Sequence, residues 1–207
     1  ADTLLVHADT GLYAVPAAAA QRDPQVPLDL TRPLARVRLA GVRGERLAGP
    51  GDAERALEHA LRTGAGLLAS EQLGVADWCL TETVRYLKQR HQFNRPVGSF
   101  QALGHRLAQL WLDVASARSA ARAAADALAT DAADAPLLTS LAQAYCSGVA
   151  VRAAEECVQL HGGIGMTWEH PAHLYLKRAK SASLTLGTPG HHRTLIASLA
   201  DLPAPGA

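Results

Sequence analysis

A mainly helical protein led in by a small β-unit is the fold class that this sequence predicts, and three observations predict it. After "AGPGD" at 48–52, apolar residues recur at helical spacing almost to the end of the chain. Before that break, short apolar runs are separated by turn residues at strand spacing. Breaks rich in Gly, Pro and Asp divide the helical part into long segments with short connections, the pattern of an antiparallel four-helix bundle.

Each element can be justified in order. "TLLVHA" and "GLYAVP" flank "DTG" and read as a hairpin. "LARVRLAGV" alternates Leu34, Val37 and Leu39 with Arg36 and Arg38, roughly the period of a half-buried strand. Residues 1–48 hold too few strands to bury a sheet face alone, so they read as the end of a larger β-domain. Residues 49–207 are then the helical domain. Its first helix is predicted over Ala53–Gln89 with Asp52 as the cap. Leu61, Leu68 and Val75, then Leu80, Val84 and Leu87, mark its inner face. "NRPVGS" is a loop, and a second helix starts near Ser99 with Leu103, Leu107, Leu110, Val114 and Ala117 as its stripe. "TDAADAP" ends it. A third helix begins by Pro136, a residue that suits a first turn. It carries Leu138, Leu141, Tyr145, Val151, Ala154 and Val158 and stops at Gly162-Gly163. "HPAHLYLKRAK" and "HRTLIASLA" are two short helices that complete the chain.

Bulk properties narrow the function classes. The chain has 207 residues, 48% of them hydrophobic and 19% charged, which is a folded chain rather than a disordered one. A net charge of +1 and 4% aromatic residues argue against nucleic acid and anionic membranes as partners. No apolar run approaches 18 residues, so no membrane span is expected. Cys79, Cys146 and Cys157 form no CxxC pair and read as reduced core thiols of a cytoplasmic protein.

Four segments hold the chemistry: "LLASEQLG", "RYLKQRHQFNRPVGSFQ", "QLHGGIGMTWEHPAHLYLKRAK" and "LTLGTPGHHR". In the second, Arg90 stands at a helix end and Gln101 near the start of the next helix. The guanidinium fork suits two phosphate oxygens, and helix N-termini add backbone donors. The same arginine equally suits a helix C-terminus, where its charge offsets the dipole. Gly162, Gly163 and Gly165 let a ligand approach backbone amides without a β-carbon in the way, or simply stop a helix. His170 and His173 have a metal-like spacing but no convergent Cys or carboxylate set, so no metal site is expected. His191 and His192 read as the solvated first turn of the last helix, and His161 as packing or ligand-lining. Trp78, Trp111 and Trp168 read as core or interface aromatics.

Together these motifs resemble the C-terminal half of the acyl-CoA dehydrogenase family. Arg90, Phe93, Asn94 and Gln101 match its "RxxFGxxxxxxQ", with Asn94 where Gly is usual. Gln159, Gly162, Gly163, Gly165 and Glu169 match its "QxxGGxGxxxE". The wording around "WEHPAHLYLKRAK" is similar to an actinobacterial branch that includes steroid side-chain degradation enzymes. The resemblance implies α,β-dehydrogenation of an acyl-CoA with FAD as hydride acceptor. It implies that Arg90, His91, Gln92, Phe93, Gln101, Gln159, Gly162, Gly163 and Thr188 contact FAD, most of them that of a neighbouring subunit.

The family's catalytic carboxylate is expected in a "YEGT"-like sequence, where this chain has Leu186, or on the first helix, where it has Gly64. Leucine accepts no proton, so no catalytic base is assigned. Glu71, seven residues after Gly64 on the same helical face, is the substitute. The family's N-terminal domain is missing from the sequence. The resemblance therefore implies a non-catalytic subunit paired with a homologous full-length subunit, as a hetero-oligomer of α2β2 type. The alternatives are a self-sufficient component that uses Glu71, or a flavin-free structural module.

Overall fold

The computed structural model describes residues 2–203 and divides into two compact units that meet within one long helix, at residues 61–62. In the first unit, β1 (Thr3–Ala8) and β2 (Gly11–Pro16) form the hairpin, and β5 (Glu45–Ala48) adds to β2, giving an antiparallel order β1-β2-β5. Gly11 faces the Ala48 carbonyl so closely that a β-carbon there would stand 2.1 Å from the oxygen. Only glycine fits that crossing.

A separate ribbon pairs β3 (Gln21–Gln25) with β4 (Leu34–Arg38). The half-buried strand expected over "LARVR" is instead exposed at every position. Its single partner strand, "QRDPQ", is exposed throughout as well, so alternation in β4 has no core to face.

The helix α1 (Pro50–Gln89) starts three residues earlier than expected, with Pro50 as its first residue. Asp52 is therefore in the first turn rather than at the cap, where it pairs with Arg55 and favours the helix dipole. The second unit contains the rest of α1 with α2 (Gln101–Ala129), α3 (Ala135–His161), α4 (Ala172–Ala182) and α5 (Pro189–Leu199).

The central helix is α3, which packs against α2, α4 and α5. Its inner surface is made of small residues, with Ala142, Cys146, Ala150, Ala153, Ala154 and Cys157 fully buried. The close approach they permit lets the Cys146 thiol reach the Ala117 carbonyl of α2 at 3.5 Å. Leu141 and Tyr145, expected on the inner stripe, face outward. On α1, Leu68, Val75, Leu80 and Leu87 are buried as expected, but Leu61 is exposed. Burying a leucine as completely as Leu87 stabilises by about 2 kcal/mol.

Polar ties join α1 to the other helices: Gln72 donates to Ser147 at 3.0 Å, and Arg118 pairs with Asp77 at 2.7 Å. All three cysteines are free and buried. No helix among the described residues is long and apolar enough to cross a membrane.

Candidate functional site

The residues singled out in the sequence divide between two places. One group gathers where α1 ends, α2 begins and α3 ends. The chain leaves α1 through a two-residue hairpin, β6 (His91–Gln92) with β7 (Arg95–Pro96). Its tip is Phe93-Asn94, at φ 55° and 60°. Asparagine adopts this left-handed backbone more readily than most residues, which explains how Asn94 stands where glycine is usual. The turn leaves Phe93 86% exposed.

Arg90 is fixed by its backbone, donating to the Tyr86 carbonyl at 2.8 Å and accepting from Val97 at 2.7 Å. Its guanidinium is exposed and makes no ion pair or hydrogen bond among the described residues. Gln101 is the exposed first residue of α2. His91 Nδ1 meets the Gln89 carbonyl at 3.0 Å, and Gln92 donates to the His91 carbonyl at 2.8 Å.

The end of α3 reaches this group because His161 stacks on Tyr86, with ring centroids 4.3 Å apart. Gln159 is exposed beside it. Gly162 ends the helix at φ 63°, and a β-carbon on Gly162 or Gly163 would meet nothing within 4 Å. Gly165 differs: a β-carbon there would stand 2.6 Å from the Val158 carbonyl. Gly162 and Gly163 thus face open space, while Gly165 serves packing.

His161 is 3% exposed and donates Nδ1–H to the Cys157 carbonyl at 2.7 Å. Burial pulls its pKa down, but the Cys157 thiol and carbonyl, with Glu82, raise it overall. Glu82 is gripped by Arg85, which holds its carboxyl below the usual range against burial, with His170 adding to the effect.

The second place is about 39 Å away along α1, at 1.5 Å per residue. Here Gly64 and Leu186 face each other: a β-carbon on Gly64 would meet Leu186 Cδ1 at 2.9 Å. Leu186 has a left-handed backbone, φ 57°, and Gly187 follows at φ 102°. Thr188 caps α5, its Oγ1 accepting from His191 N–H at 3.2 Å. It therefore lies with Leu186 at the second place, not with Arg90.

His192 corrects an expectation. It is buried rather than solvated, and its Nε2–H donates to the Leu186 carbonyl at 2.9 Å. The helical period of α5 carried this signal, since His192 lies on the side that faces back to the turn. Glu71, the substitute base, is bonded by Arg178 Nε at 2.7 Å. It lies about 10 Å along α1 from Gly64. Trp78 stacks on Tyr175 at 3.6 Å, whereas Trp111 and Trp168 are largely exposed.

Comparison with known proteins bears on the fold and the family. Residues 51–200 match the family model described as acyl-CoA dehydrogenase, C-terminal domain. The acyl-CoA dehydrogenase IpdE2 of Mycobacterium tuberculosis is 49% identical over 129 residues, 61% of this chain and 38% of that protein. The ChsE4-ChsE5 complex from Mycobacterium tuberculosis superposes with a TM-score of 0.86 at 31% identity, over 99% of this chain and 57% of that one. The Tcur3481-Tcur3483 steroid ACAD G363A variant gives a TM-score of 0.84 at 29% identity, over 97% and 55%. The chain thus spans under two-fifths of the length of the curated relative, and a little over half of each solved chain. The matched span, the helical architecture and the order of the motifs lead to one conclusion: this chain belongs to the acyl-CoA dehydrogenase family.

Proposed function

We propose that this chain is a non-catalytic subunit of an acyl-CoA dehydrogenase, which lends Arg90, Gln101, Gln159 and the Gly162-Gly163 amides to FAD on a partner subunit. The observation that carries the reading is the contact between Gly64 and Leu186. The two positions where the family's carboxylate is expected meet in space, and both are hydrocarbon or bare backbone. No tuning of pKa makes such a pair a base.

Family membership implies FAD, and the residues at the first place fit one end of a dinucleotide. An exposed guanidinium without a partner among the described residues stands near a glycine turn with open space over both α-carbons. Arg90 would meet pyrophosphate oxygens in a fork, and the glycine amides would approach without a β-carbon between. Gln101 would add a side-chain donor at the start of α2. When bound, FAD supplies the hydride acceptor for α,β-dehydrogenation of an acyl-CoA.

Two solved relatives are named for pairs of chains, and one of them is called a steroid ACAD. These names support an unlike partner and a steroid-type acyl-CoA. The Arg178–Glu71 pair disfavours Glu71 as the base, because the guanidinium already occupies a carboxylate oxygen and would have to let go before that oxygen could meet a substrate proton.

Co-expression with a full-length, Glu-bearing homologue tests the reading. A yellow, active complex is expected. Arg90→Ala should weaken FAD retention by roughly ten- to a hundred-fold, the effect of losing a charged hydrogen bond. Glu71→Gln should leave turnover in place. Full flavin content and turnover in Arg90→Ala would refute the assignment of Arg90, and loss of turnover in Glu71→Gln would favour a self-sufficient component.

A further inference from the structure

Three groups, two of them near one another in sequence and the third far from both, meet near the glycine turn. They are Glu82 on α1, His161 at the end of α3 and His170 just before α4. One ligand atom from each lies within 4.8 Å of the other two. A second observation points into the same space. His161 donates Nδ1–H to the Cys157 carbonyl, so in the neutral ring its Nε2 carries the lone pair. That Nε2 is buried and has no hydrogen-bond partner among the described residues. A buried acceptor left without a donor is destabilising, and a bound Lewis acid removes the penalty. An imidazole with one nitrogen tied to a backbone carbonyl is also the arrangement that orients histidine ligands in metal sites.

We infer that Glu82, His161 and His170 form a binding site for a zinc-like divalent cation, with two nitrogen ligands, one carboxylate oxygen and water at the open position. The donor set of two imidazoles and a carboxylate suits Zn²⁺ or Co²⁺ rather than Ca²⁺ or Mg²⁺, which prefer oxygen alone. A tetrahedral ion with bonds of about 2.1 Å spaces its ligands about 3.4 Å apart, so rotation of the side chains by about an ångström closes the set. His170 Nε2 already stands 3.6 Å from Glu82 Oε1, and the two side chains are 14% and 17% exposed, which leaves a route for the ion.

Two existing bonds must yield. His170 Nδ1 accepts from Ala172 N–H at 3.2 Å, and ligation through Nε2 moves the ring proton to Nδ1 and breaks that bond. Arg85 holds both oxygens of Glu82, through Nε at 2.9 Å and through its terminal nitrogen. Arg85 is 57% exposed and can turn to solvent. The arginine therefore competes with the cation for one carboxylate, and removing it should favour the metal.

The test is titration of the full, metal-stripped chain with Zn²⁺ by calorimetry and with Co²⁺ by visible absorption, at about pH 8, above the ordinary imidazole pKa of about 6.5. One ion per chain and an intense Co²⁺ spectrum of four-coordinate type are expected. His170→Ala and Glu82→Gln should each weaken binding at least ten-fold, and Arg85→Ala should strengthen it several-fold. The Arg85 variant keeps all three ligands and guards against a fold defect posing as metal loss. Absence of binding, or binding unchanged in His170→Ala and Glu82→Gln, would overturn the site, as would weaker binding in Arg85→Ala.

Discussion

Leu186 occupies a left-handed backbone position that disfavours a β-carbon by about 1–2 kcal/mol, so something must hold the turn. His192 does so by donating to the Leu186 carbonyl from a buried position. The bond requires only a neutral ring, and the surroundings favour one. Burial pulls the His192 pKa below its ordinary 6.5, neighbouring His191 adds to this, and the Leu186 carbonyl opposes it. Since the unfolded chain then takes up the proton first, the stability from His192 is complete above about pH 6.5 and is lost as pH falls toward the folded pKa. His161, whose pKa is raised, works in the opposite sense, so the comparison has to isolate His192. The stability gap between the native protein and His192→Gln should narrow as pH drops from about 7.5 to about 5.5, followed by urea unfolding. A gap that stays constant with pH would mean that His192 titrates normally or acts through shape alone.

At the scale of elements, the hairpin between α1 and α2 places Arg90 and Gln101, and its tip is a local test of backbone chemistry. Asn94 at φ 60° should tolerate glycine without loss, whereas Asn94→Ala should lower stability by about 1 kcal/mol, read from denaturant melts. Equal stability of the two variants would show that the turn relaxes freely. This loop and the stop of α3 at Gly162 were legible in the sequence because Gly, Pro and Asn fix backbone angles locally, whereas α5 starts at Pro189, ahead of the expected "HRTLIASLA". The facing of α3 was not legible. Leu141 and Tyr145 drew attention by size, yet the buried surface belongs to Ala142, Cys146 and Ala150, because small residues let α2 approach. Nor was β3, whose polar "QRDPQ" carries no strand signal. The candidate flavin group was readable as motifs in order. The Glu82–His161–His170 cluster was not, since Glu82 is far in sequence from the two histidines and only the packing of α1 beside them unites the three.

For the molecule as a whole, the uncovered apolar surface is the property that bears on assembly. On α2, Trp111 is 64% and Leu112 is 53% exposed, and Leu112 borders a groove of about 410 Å³ with Gly104, His105, Ala108 and Gln109. Such neighbouring apolar side chains on one helix are uncommon on a monomer unless another surface covers them. A partner subunit of the same family is the occupant that the proposed function requires, and burying a tryptophan of this exposure is worth about 1–3 kcal/mol of association. Trp111→Glu should therefore fold normally, since the residue contributes little to the core, while weakening assembly with the co-expressed homologue roughly ten-fold or more. Circular dichroism checks the first half and sedimentation velocity the second. An unaltered complex would place the partner on some other face, and the flavin contacts of Arg90 would then have to be reached from a different direction.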